Sequence, residues 1–95
     1  MNLLDSHIIR IQSLYRFQWE AAQNAYVLLY PEGMITLNSS AGEILSRCAK
    51  GDKTVLELIQ ELEQQFPDAG DLRPDIYEFL RTAYEHGWID YSPAT

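Results

Sequence analysis

Apolar and polar residues alternate early in this chain and recur every three to four positions later. Tyr15, Phe17 and Trp19 alternate with Arg16, Gln18 and Glu20, the period of a strand with one covered face. Tyr26 to Tyr30 and Met34 to Asn38 are further short runs of β-branched, aromatic and aliphatic residues. Between those two runs stands Pro31-Glu32-Gly33. Pro31 suits the first central position of a type I turn, and Gly33 can supply the positive φ that closes a three-residue loop with a bulge. Gln23-Asn24 provides the earlier turn. The pattern therefore predicts a three-stranded antiparallel meander. In its third strand Ile35 and Leu37 share one face, and Met34 and Thr36 the other.

From Asn38 the period changes to that of helices. Ala41, Ile44, Leu45 and Cys48 form an i, i+3, i+4, i+7 stripe. Ser40 and Glu43 are spaced as a capping box, with Asn38 as the other candidate cap. Gly51 stops this helix. Thr54 and Glu57 repeat the capping-box spacing, and Val55, Leu58, Ile59, Leu62 and Phe66 continue an apolar stripe until Pro67. A third helix is expected to begin within Asp71 to Pro74. Ile76, Phe79, Leu80 and Ala83 are its core face, Tyr77 and Tyr84 lie on a flank, and Gly87 is its stop. Trp88-Ile89 is expected to fold back on it. Asp90 to Thr95 is expected to fray. Met1 to Leu14, with Ile8, Ile9 and Ile11, is too apolar for a free tail and reads as an extended arm packed on the body or on another copy. The order is α+β: an N-terminal three-stranded antiparallel sheet followed by three helices, similar to a winged helix-turn-helix arrangement with the sheet placed first.

At 95 residues the chain fits a single domain, 1–95, with 1–14 as the arm. The lone Cys48 has no disulfide partner, and no signal peptide is seen, so a reducing cytoplasm is expected. No apolar run approaches a membrane span. The net charge of −7 is concentrated in the helical part: residues 38–95 hold eleven acids against five bases. That sign repels phosphate.

Catalytic chemistry finds no foothold in these residues. Cys48 lies on a buried stripe, which makes an inert thiol. His7 and His86 stand at opposite ends with no ligand spacing, so neither a metal nor another cofactor is expected. His86 suits the negative end of a helix dipole. Glu57 and Glu61 fall on a wet helix face. A winged-helix DNA-binding regulatory protein is the second reading. Its third helix would need base and phosphate contacts, yet Asp71 to Gly87 carries four acids and two bases.

Peptide recognition is the class left standing. The third strand, Met34 to Asn38, has no later strand to pair with and offers an open edge to an extended peptide. The third helix, through Ile76, Phe79, Leu80, Ala83 and Tyr84, would form the opposite wall. Two other outcomes stay open: these residues are all core, or a second copy covers the edge as a strand-exchanged homodimer. Ile35→Pro would weaken peptide binding if the Ile35 N–H faces that edge.

Phe17-Gln18-Trp19-Glu20, Leu28-Leu29-Tyr30-Pro31-Glu32-Gly33, Leu37-Asn38, Ala41, Ile44-Leu45, Phe79-Leu80 and Gly87-Trp88-Ile89 together closely resemble the pyrroloquinoline quinone biosynthesis protein D (PqqD) family. The resemblance runs over about residues 10 to 91. It implies a non-enzymatic chaperone that binds the precursor peptide PqqA and presents it to the radical S-adenosylmethionine enzyme PqqE, which cross-links a Glu and a Tyr of the peptide. It also implies docking of the peptide as an extra strand between the third strand and third helix. On this chain those positions are Met34, Ile35, Thr36, Leu37 and Asn38, facing Asp75, Ile76, Phe79, Leu80 and Ala83. Where the family often has an acid directly before the glycine ending the first helix, this chain reads Lys50-Gly51-Asp52.

Overall fold

A computed structural model describes residues 1–93. It contains two small antiparallel sheets and three α-helices. The expected meander is present: β2 (Arg16–Glu20), β3 (Ala25–Tyr30) and β4 (Gly33–Thr36) follow β1 (Ile8–Ile11) and form one sheet in the order β2-β3-β4. Phe17 and Ile35 both pair with Leu28, and Trp19 pairs with Tyr26, so these residues share the face turned toward the helices. Asn24 takes φ of 52° in the first turn, a left-handed position that asparagine tolerates.

The second turn is tighter than the sequence suggests. Tyr30 pairs directly with Gly33, leaving only Pro31-Glu32 in the loop. Gly33 is the first residue of β4 and has no positive φ, so the bulged three-residue loop is not formed. A Cβ at Gly33 would meet only the Tyr30 side chain, at an ordinary contact distance of 3.4 Å.

Helices α1 (Ser39–Cys48), α2 (Val55–Gln65) and α3 (Arg73–Glu85) lie within two residues of their expected bounds. Asn38, not Ser40, caps α1: its carboxamide oxygen accepts from the Ala41 N–H at 2.8 Å, and Ser40 donates its hydroxyl to the same oxygen. Asn38→Ala should therefore lower stability by about 1 kcal/mol, read from a denaturant midpoint. The Thr54–Glu57 capping box is complete in both directions. Gly87 ends α3 with φ of +78°, and the Trp88 N–H reaches back to the Ala83 carbonyl at 2.9 Å. Gly42 lets α1 lie directly on β3, because a Cβ there would come within 2.9 Å of the Tyr26 ring. Leu28, Leu45, Leu58 and Leu80 are fully buried where the sheet and helices meet. Among the described residues no helix is long and apolar enough to cross a membrane.

The N-terminal arm is extended and packed on the body, as expected, whereas the C-terminal end departs from expectation. Ile8–Ile11 is a strand, and it pairs with β5 (Ile89–Ser92), which forms where fraying was expected. Ala94 and Thr95 lie outside the described residues. The cause is burial: Ile9 and Ile89 both join the core cluster with the helices and are closed off from solvent. The arm before β1 is also held. Leu3 is buried, and the Asp5 carboxylate accepts two bonds from Arg73 at 2.6 and 2.9 Å and one from Tyr77.

The Arg73 and Tyr77 hydrogen bonds pull the Asp5 carboxyl from 3.8 to about 2. A carboxyl that titrates lower when folded contributes its stability in full above about pH 4 and loses it as pH falls toward about 2. Asp5→Asn should therefore flatten the acid limb of a stability–pH profile in that window. The effect stays modest because both partners are partly exposed.

Candidate functional site

The edge of β4 away from β3 is vacant among the described residues. Its polarity follows from one bond. The Leu37 N–H donates to the Tyr26 carbonyl at 2.9 Å. In an antiparallel ladder such bonds recur at every second residue. Ile35 and Gly33 therefore also turn their N–H and C=O groups inward to β3, and Met34 and Thr36 turn theirs outward. The Ile35 N–H does not face the open edge. β2 is the sheet's other edge, where by the same alternation Phe17 and Trp19 point their amides outward. That edge carries Arg16 and Glu20, and charge at an edge discourages strand addition. The Gly-Met-Ile-Thr strand β4 has no charge.

A cavity of about 560 Å³ opens between the first half of α1, the end of α2 and the start of α3. Ser39, Ser40 and Ile44 of α1, Leu62 of α2, Phe66 after it, and Ile76 with Phe79 of α3 make its wall mostly apolar. Glu43 and Asp75 are the charged residues lining it. Arg47 braces the α1–α2 side. It donates to the Glu43 carbonyl and carboxylate, both at 2.8 Å, and reaches Glu61 and Gln65 on α2. Lys53 pairs with Glu61 at 2.6 Å.

The ten positions expected to form a peptide groove are divided by this geometry. Met34 and Thr36 are exposed on the outer sheet face, with Thr36 donating its hydroxyl to Gln23. Ile35 is half-buried and Leu37 buried beneath the sheet, and Asn38 is engaged as the α1 cap. Asp75, Ile76 and Phe79 line the cavity. Leu80 and Ala83 do not: both are completely buried, one helical turn deeper in the core. Phe66, expected on the buried stripe of α2, is 40% exposed at the cavity wall. Helix α2 ends at Gln65 ahead of Pro67, and a short 3-10 turn, Pro67–Ala69, carries Phe66 away from the core. Pro67 was the available signal, since the residue before proline leaves helical conformation. The α1 side of the cavity was missed because Ser40 and Glu43 read only as a capping box and Ile44 only as core.

Cys48 is buried, and burial pushes its thiol up to about 12, which makes it unreactive. Among the described residues no three His, Cys, Asp or Glu side chains converge as metal ligands would.

The family described as "Coenzyme PQQ synthesis protein D (PqqD)" matches residues 25–89, which run from the start of β3 to the start of β5. A "PqqA binding protein" of Acinetobacter baylyi is 55% identical over 75 residues, covering 79% of this chain and 75% of that protein. One from Azotobacter vinelandii is 46% identical over 76 residues, 80% of this chain and 82% of its own. One from Methylococcus capsulatus is 42% identical over 89 residues, 94% of each. No solved structure gives a significant match. A family match over residues 25–89, with relatives 42–55% identical over 79–94% of the chain, shows that the chain belongs to the PqqD family.

Proposed function

We propose that this protein binds the PqqA precursor peptide as an added strand on β4 and presents it to the radical enzyme PqqE in pyrroloquinoline quinone biosynthesis. The observation that carries this reading is the vacant, uncharged edge of β4, which leads in the chain straight to α1, one wall of the apolar cavity. Backbone groups of Met34 and Thr36 bond the peptide. Peptide side chains on the Ile35–Leu37 face then point toward the cavity, and alternate ones toward solvent. The relatives' name supports the ligand, since it describes PqqA binding and no reaction. In this reading the protein is a cytoplasmic chaperone without catalytic residues of its own. Leu80 and Ala83 support the groove from below. In this reading the protein works as a monomer, with its arm paired to β5 and tied to Arg73 within one chain.

A pull-down with PqqA and PqqE, together and separately, tests presentation. A ternary complex is the expected result. Capture of PqqA that PqqE displaces would mean storage instead. The winged-helix DNA reading has a similar order of sheet and helices but the wrong charge on α3. Retention on DNA at low salt that falls steeply as salt rises would revive it.

A further inference from the structure

Within the proposed peptide site, and resting on that reading, we infer that the cavity selects a basic side chain of the bound peptide: a Lys or Arg whose aliphatic stem crosses the Phe66–Phe79 wall and whose cationic head reaches Asp75. The cavity's polar groups are lopsided. Its two charged residues are both carboxylates, and no base lines it. Glu43 is already matched by Arg47 at 2.8 Å. Asp75 makes no side-chain hydrogen bond or ion pair among the described residues, although it lines the same wall as Phe79. The nearest arginine along α3, Arg73, is committed to Asp5. A second carboxylate, Glu63, stands on the same side, where it accepts only the backbone N–H of Leu72, itself a lining residue.

An apolar trough ending in an unmatched carboxylate is complementary to a side chain that is apolar along its stem and charged at its tip. Phe66 and Phe79 supply apolar ring surface along that path. An acidic side chain placed there would meet Asp75 without a counter-charge. Strand addition on β4 brings the peptide near Ser39 and Ser40, the first cavity-lining residues after β4 in the chain, with every second peptide side chain on one face. The N-terminal end of α3 is partly positive and offsets some of the Asp75 charge. The selection is therefore several-fold, not absolute.

The test is a double-mutant cycle read by fluorescence titration, with amide NMR signals of Met34 and Thr36 followed in parallel. Synthetic PqqA and variants in which each Lys or Arg is replaced by norleucine are titrated into the wild-type protein and into Asp75→Asn. Asp75→Asn should weaken wild-type PqqA about three- to tenfold. One norleucine variant should lose a similar factor, and the two losses should not multiply. The Asp75-dependent part should shrink between 0.05 and 0.5 M salt, about as expected when screening shortens. Losses that multiply for every variant, or an Asp75→Asn protein with unchanged affinity, would overturn the selection while the amide shifts at Met34 and Thr36 leave strand addition standing. Absence of those shifts with wild-type PqqA would instead remove the docking reading itself.

Discussion

Thr36→Pro is expected to lose PqqA binding by at least about tenfold while leaving the protein folded. One backbone hydrogen bond contributes roughly 0.5–1.5 kcal/mol, and the proline ring also blocks the approach of a neighbouring strand. The Thr36 N–H points to the vacant edge, so proline there takes nothing from the β3–β4 ladder. Thr36→Val is the matched control. It keeps the N–H and removes only the hydroxyl bonded to Gln23, and its affinity should stay near wild type. Ile35→Pro should behave in the opposite way. Its N–H faces Leu28 across the ladder, so proline deprives a buried carbonyl of its donor at a cost of about 1–3 kcal/mol. Urea midpoints for the three variants, set beside peptide titrations, separate the two kinds of loss. Equal damage to stability from Thr36→Pro and Ile35→Pro would mean that the inferred polarity of β4 is wrong.

Leu80→Ala should lose about 2–5 kcal/mol of stability, the range for truncating a fully enclosed leucine. Leu80 has no exposed surface and sits in the cluster that joins α3 to the rest of the core. For a domain of this size such a loss is a large share of the total. Its neighbour Phe79 faces the cavity and is only half-buried. Phe79→Ala should therefore cost less stability and more peptide affinity. The pair, adjacent in sequence, should thus give opposite rankings in a thermal melt and in a PqqA titration. If Leu80→Ala weakened binding at temperatures where it is fully folded, Leu80 would belong to the groove and not to its support.

What could be read from the residues follows the range of the interactions involved. The β2–β4 meander and the three helices are set by local periodicity, by the Thr54–Glu57 box and by Gly87, all visible within a few positions. The β1–β5 pair was not visible, because its two strands are separated by nearly the whole chain and each is only four residues long. Ile8, Ile9 and Ile11 announced burial but not a partner. At the groove, Met34 to Thr36 could be recognised as an edge because nothing after them reads as a neighbouring strand. Which of their amides pointed outward required the Leu37–Tyr26 bond. Leu80 and Ala83 share a helical face with Ile76, and periodicity alone does not tell a groove wall from the core one turn beneath it. Phe66 needed the 3-10 turn that carries it out of the α2 stripe.

Strand addition on β4 is tested most directly by amide hydrogen exchange, residue by residue, with and without PqqA. In the free protein Met34 and Thr36 should exchange quickly and Ile35 slowly, since only Ile35 is bonded across the ladder. Saturating PqqA should slow Met34 and Thr36 and leave Phe17 and Trp19, the outward amides of β2, as they were. Protection that arises at Phe17 and Trp19, with Met34 and Thr36 still exchanging freely, would contradict the account.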